Sequence, residues 1–249
     1  MRSFTKGKES VFCGYSAIHF YKKTKRIKYS ALATFLKQLQ QLPGDIKAGI
    51  VIIILHVVGV IGYLTPALNT YFLLLTPLNL LIVGTIVVYF QYSKGISRLW
   101  APVAVFSIGL IAEIVGVKYG FLFGEYQYGD TLGPKVMQVP WIIGMNWLQL
   151  GFAFAALCAC YLPGKKFLSM PLAAVLMVLL DVLIEPVAIK YDYWAWENGN
   201  VPLMNYIGWF VVANIVQIII QTEELTRLKR LSWFIISAQL MFFTLLNLF

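Results

Sequence analysis

Asp181 and Glu185 stand four residues apart in the apolar run Val175-Leu-Met-Val-Leu-Leu-Asp181-Val-Leu-Ile-Glu185-Pro186. On a helix this spacing puts both carboxyls on one face, about one turn apart. Two carboxylates surrounded by hydrocarbon are costly unless they serve a site. Burial and mutual repulsion both favour a proton on at least one of them, and a neutral carboxylic acid is a proton donor. Pro186 lacks the N–H that would bond the Val182 carbonyl, so a helix kinks there and space opens beside the pair. The competing reading is structural: a carboxyl pair satisfied by neighbouring helices or by Lys118, Lys135 or Lys190.

Glu113, near the end of another apolar run, repeats the argument in weaker form. After it come Gly116, Gly120, Gly124, Gly129 and Gly133-Pro134, with Glu125, Tyr128 and Asp130 among them. The small residues at 116, 120 and 124 fit either a helix-packing face or a re-entrant or lid loop, and Gly129 and Gly133-Pro134 favour turns. A second aromatic stretch, Tyr191 to Trp209, holds Trp194, Trp196 and Asn205. Five of the seven tryptophans (Trp141, Trp147, Trp194, Trp196, Trp209) lie in or beside these two stretches. An interfacial belt accounts for most of them. Aromatic faces beside buried acids would also steady a carbocation.

Metal and redox chemistry find little support. Three cysteines include Cys158-x-Cys160, which lacks the spacing of a zinc or redox motif, and the two histidines, His19 and His56, stand apart. Pro163-Gly-Lys-Lys lacks the earlier glycine and the Ser or Thr of a phosphate-binding loop. No cofactor and no metal are expected.

The elements that must position these residues follow from composition. Apolar residues make up 59% of the 249 positions and charged ones 12%, where a soluble domain has about 25% charged. Apolar blocks run approximately over 47–64, 70–90, 99–117, 139–161, 167–188, 206–221 and 231–249. Each approaches the ~20 residues that cross a hydrocarbon core. The expected fold is therefore an all-α integral membrane protein of about seven transmembrane helices. If the N-terminus is cytoplasmic, 17 of the 20 Lys and Arg fall on the inside, leaving Lys118, Lys135 and Lys190 outside with the C-terminus. The net charge of +9 is then topology rather than nucleic-acid binding. Residues 1–45 form a basic cytoplasmic segment in which Ala31, Leu32, Phe35, Leu36, Leu39 and Leu42 recur at helical spacing, as in a surface amphipathic helix. Residues 46–249 form the transmembrane domain. The expected location is the cell membrane, multi-pass, with the lipid bilayer as a partner and no nucleic acid.

The motifs Glu113-x-x-Gly116, Phe123-Gly124-x-Tyr126-x-Tyr128, Leu132-Gly133-Pro134, Val139-Pro140, Asn146-Trp147, Leu180-Asp181-x-x-x-Glu185-Pro186-x-Ala188, Tyr193-Trp194-x-Trp196, Val201-Pro202 and Asn205-Tyr206-x-Gly208-Trp209-Phe210 occur in one order. Together they resemble the carotenoid biosynthesis membrane family that includes γ-carotene 1′,2′-hydratases and bisanhydrobacterioruberin hydratases. The resemblance covers approximately residues 46–249. Lys118-Tyr119 and Gly144-Met145 depart from the family pattern without touching the acids.

The resemblance implies a membrane hydratase that needs no redox cofactor. Its substrate would be an acyclic or monocyclic carotenoid, and it could associate with other carotenoid enzymes. The reaction adds water to the terminal C1′=C2′ double bond: protonation of C2′ leaves a tertiary cation at C1′, which water captures. Asp181 or Glu185 would donate the proton, and the other or Glu113 would position water. Glu125, Tyr128, Asp130, Asn146, Trp194, Trp196 and Asn205 are the substrate-binding candidates. A cyclase or isomerase would use the same acid on the same end group. A membrane prenyltransferase would need a second acidic motif for magnesium. A proton-coupled transporter would use the acids as a relay, although no inverted repeat is visible.

Overall fold

The computed structural model describes residues 37, 38, 40–92 and 99–249. The chain divides into two compact units, Met1–Lys47 and Ala48–Phe249. Most of the surface helix expected between Ala31 and Leu42 lies outside the described residues, as do Lys94 and Arg98.

Among the described residues, seven helices are long and apolar enough to cross a membrane. They are α1 (Gly44–Leu64), α2 (Asn69–Tyr92), α3 (Trp100–Tyr119), α4 (Ile143–Tyr161), α5 (Lys166–Lys190), α6 (Leu203–Ile220) and α7 (Lys229–Leu248), the last preceded by a 3-10 turn at Leu225–Leu228. Each matches one of the seven apolar blocks, because a run without charges satisfies its backbone internally only as a helix when lipid surrounds it. Their burial differs. In α4, 72% of the apolar window is covered by other protein, against 17% in α2. The bundle is therefore built around α4, with α2 at its edge.

One block begins differently from its hydropathy. Val139–Pro140 is a strand, and α4 starts only at Ile143. Among the described residues, four short strands cap the acid-bearing end of the bundle: β1 (Tyr126–Tyr128), β2 (Lys135–Val136), β3 (Val139–Pro140) and β4 (Trp194–Trp196). β2 and β3 form a hairpin with Met137 and Gln138 at positive φ. β1 pairs antiparallel with β4, in the register Tyr126 to Trp196 and Tyr128 to Trp194.

The glycines after Glu113 resolve in favour of the lid. Gly120 takes a left-handed φ of 68° and ends α3 through an N–H bond to the Gly116 carbonyl at 2.8 Å, and Gly124 turns at φ 103°. Gly208 on α6 lets the lid settle onto the bundle. A Cβ there would stand 2.2 Å from the Leu122 carbonyl oxygen and 2.6 Å from the Phe123 ring. Gly208→Ala is expected to cost about 1–3 kcal/mol through overpacking against fixed backbone. A lowered midpoint of thermal unfolding in detergent, relative to wild type, checks this.

Candidate active site

The β1–β4 ribbon sets the geometry. Side chains alternate along a strand, so Gln127 and Ala195 face outward while Tyr126, Tyr128, Trp194 and Trp196 face the bundle. Each of the four inward rings carries a polar tip, and each tip meets a carboxyl. Tyr126 and Tyr128 hydroxyls donate to Glu113 Oε2 at 2.6 and 2.8 Å. Trp194 and Trp196 indole N–H groups donate to Glu185 Oε2 at 3.0 and 2.9 Å. The ribbon thus clamps one acid from α3 and one from α5.

The remaining oxygens are held from the helices. Trp147 on α4 donates its Nε1–H to Glu113 Oε1 at 3.0 Å. That ring stacks on Trp209, with centroids 4.3 Å apart, and sits against Gly109, where a Cβ would meet it at 2.3 Å. Asn205, in the first turn of α6, donates Nδ2–H to Asp181 Oδ2 at 2.8 Å and to Glu185 Oε1 at 3.0 Å. Glu113, Asp181, Glu185 and Asn205 are all at most 3% exposed. Among the described residues none of the three acids makes an ion pair. Lys135 pairs instead with Asp130 at 2.8 Å, while Lys118 and Lys190 lie over the rings of Tyr119 and Tyr191. Asp181 Oδ1 is buried without a partner, so one oxygen of the pair remains free to carry a proton.

Burial pushes the Tyr126 and Tyr128 hydroxyls well above the ordinary tyrosine range, and the charge of Glu113 pushes the same way. Both therefore stay O–H donors.

Glu113, Glu185, Tyr126, Tyr128, Asn146 and Asn205 line a slot of about 20 Å³, just above the ~10–15 Å³ needed to hold one water molecule. Asp181 is not on its wall but sits behind Glu185, fully buried. The slot shares Ile143, Asn146 and Trp194 with a larger apolar cavity of about 270 Å³ between α1, α2 and the core. On the other side of Tyr126 and Trp196 a polar outer hollow of about 610 Å³ is lined by Lys118, Glu125, Gln127 and Glu197.

Eight of the ten residues singled out by sequence are therefore brought together: Asp181, Glu185, Glu113, Tyr128, Asn146, Trp194, Trp196 and Asn205. Two are not. Glu125 lies exposed in the outer hollow, where its hydrogen bond raises the Glu197 carboxyl above the ordinary range. Asp130 is on the surface, and the Lys135 ammonium holds its carboxyl below that range. Tyr126 and Trp147 were missed as site residues. The signals were present: Tyr126 is two before Tyr128, the period of one strand face, and Trp147 falls several residues inside an apolar block rather than at its edge.

Residues 75–249 match the sequence model of the family described as Carotenoid biosynthesis protein. The chain belongs to that family. All three acids, Asn205 and both strands of the ribbon fall within the matched region, whereas α1 and the start of α2 precede it. A curated relative, the bisanhydrobacterioruberin hydratase of Haloarcula japonica, is 27% identical over 165 residues, covering 60% of this chain and 53% of the relative. The chain thus spans about half the length of the curated relative it matches. No solved structure matches it.

Proposed function

We propose that this carotenoid biosynthesis protein is a hydratase acting on the C1′=C2′ double bond of an open carotenoid end group. The observation that carries the reading is the slot sized for one water molecule, walled by two carboxyls from different helices and opening onto an apolar cavity. The name of the Haloarcula relative agrees with it.

The Asp181–Glu185 pair has one amide donor between two of its oxygens and no cation, an arrangement that a single shared proton completes. Glu185, on the slot wall, passes that proton to C2′, and the π electrons form the new C–H bond. The positive charge left at C1′ faces two carboxyls and the rings of Tyr126, Trp194 and Trp196, which stabilise it electrostatically. Water held by Asn146 and Glu113 adds its lone pair to C1′, Glu113 takes the proton released, and its return across the slot to the Asp181–Glu185 pair restores the starting state. The net change is one water added and one tertiary alcohol formed, with no oxidation. The outer hollow behind Tyr126 and Trp196 supplies the next water. Ring closure by the same acid would require a site that excludes water, and the polar slot favours capture instead.

Liquid chromatography with mass detection on pigments from a host making lycopene or γ-carotene, with and without this protein, tests the reading. The expected product is heavier by one water. An unchanged mass with shifted retention would replace hydration by cyclisation or isomerisation. No change on several open-ended carotenoids would return the acids to a transporter's relay.

A further inference from the structure

The apolar cavity beside the slot has dimensions that bear on how much of a substrate the protein surrounds. Its volume of about 270 Å³ lies just under the ~300–1,000 Å³ of pockets that enclose a drug-sized ligand, and a long polyene is larger than such a ligand. Depth gives the same answer. The lining runs from Tyr63 to Leu55 along α1 and from Phe72 to Ile82 along α2, about 12–15 Å at the helical rise. A carotenoid is roughly as long as a hydrocarbon core is thick, about 30 Å.

The inner half and the side say where the remainder goes. His56, Asn79 and Gln239 put polar groups into the inner half of the cavity, among Leu55, Leu80 and Ile82, and His56 is tied by Nδ1 to the Ile52 carbonyl at 2.8 Å. Asn79 Oδ1 is buried without a partner. These polar groups make the inner half a poor resting place for hydrocarbon, since a chain lying on them would leave them unsatisfied. The side is open. Val58 on α1 and Leu75 and Leu78 on α2 line the cavity while remaining 44%, 48% and 49% exposed on the outer surface of the two least covered walls. That surface is apolar and, in a membrane, meets lipid tails.

We propose that the site reads one end of the polyene only. The end group reaches the slot past Trp194, the adjoining stretch of chain lies in the cavity, and the rest leaves between α1 and α2 and stays in the bilayer. Selectivity then resides in the end group, and the length and far end of the molecule are not measured. A polyene with two open ends reacts in two separate encounters, with release in between. A closed tunnel would measure length and would favour processing one molecule to completion.

This inference rests on the hydratase reading for its turnover arm, so binding is measured separately. Purified protein in lipid nanodiscs is given lycopene, γ-carotene and an apo-lycopene of half length with the same open end. Binding is followed by the circular dichroism that an achiral polyene acquires when held by a protein. Turnover is followed by mass. The long and half-length polyenes are expected to bind and react within about threefold of each other, less than the roughly tenfold that 1.4 kcal/mol of extra contact would bring. Lycopene is expected to give free singly hydrated product before the doubly hydrated one. Leu75→Trp and Leu78→Trp, at exposed positions that tolerate size, should weaken the dichroism by about tenfold for both lengths, again the equivalent of 1.4 kcal/mol.

If dichroism follows this pattern but no mass changes, the hydratase reading falls and the end-reading stands. If water is added, three results overturn the end-reading alone: a half-length polyene that binds more than about tenfold more weakly, mouth variants that bind like wild type, or doubly hydrated lycopene with no free intermediate.

Discussion

Asp181→Asn and Glu185→Gln are each expected to lower pigment hydration by about 10²–10⁴-fold, the usual contribution of a positioned acid, while polyene binding persists. The two variants should differ in stability, which makes them informative together. Asp181 has one oxygen bonded to Asn205 and one without a partner. An asparagine can turn its carbonyl to Asn205 and place its amide where the free oxygen was, so the fold is kept and only the shared proton is lost. Glu185 has donors on both oxygens, Asn205 on one side and two indoles on the other. In either orientation a glutamine sets its amide against an N–H, which costs about 1–3 kcal/mol for a buried group left unmatched. Thermal unfolding in detergent, measured beside the pigment assay, separates the two effects. Full hydration by Asp181→Asn would remove Asp181 from proton supply and leave Glu185 to act alone.

A second large effect concerns Glu113, where structure and chemistry can be pulled apart. Glu113→Leu leaves the Trp147 N–H and the Tyr126 and Tyr128 hydroxyls without their acceptor. At about 1–3 kcal/mol for each buried group, the loss approaches the ~5–15 kcal/mol by which proteins are stable at all. Little folded protein is expected. Adding Tyr126→Phe and Tyr128→Phe to Glu113→Leu should recover much of it, because removing both partners of a buried bond is far cheaper than removing one. Glu113→Gln can turn its carbonyl to the Trp147 N–H and its amide to the tyrosine hydroxyls, which accept as well as donate, so it should fold, yet it cannot take a proton from water, so hydration should still fall steeply. Yields of monodisperse protein for the three variants, with the pigment assay on those that fold, check this. A Glu113→Gln protein that hydrates at the wild-type rate would show Glu113 to be a structural acceptor and no base.

The ribbon of β1 and β4 joins these predictions. It holds Glu113 and Glu185 with the same device, an aromatic pair at alternate positions whose polar tips point inward, and it stands between the outer hollow and the slot. The two acids therefore have polar surroundings on the side of the outer hollow and hydrocarbon on the side of the apolar cavity, the two approaches that the proposed reaction assigns to water and polyene.

How far this was readable without coordinates depends on whether a property is local in the chain. Seven helices follow from blocks such as 70–90 and 167–188, because hydropathy adds along consecutive residues and lipid allows an uncharged segment few other forms. That Asp181 and Glu185 share a face follows from four-residue spacing, again a local fact. Glu113 joining them does not, since it lies on a helix two spans earlier and meets the pair only through α4, α6 and the ribbon. Tyr126 pairs with Trp196 across seventy residues of chain, and strands of three residues carry too little pattern to announce themselves amid helices. The order of the acids also needed the fold: Glu185 and Glu113 face the slot, and Asp181, the more conspicuous charge in its apolar run, stands behind. Glu125 and Asp130 show the converse. Their residue types resemble those of the groups that converge on the slot, yet the strand alternation and the turn at Gly129 point them outward, into solvent and toward Lys135. Residue type and spacing thus determined the membrane helices and the shared face of Asp181 and Glu185, whereas which groups converge, and on what volume, was decided by packing between segments distant in sequence.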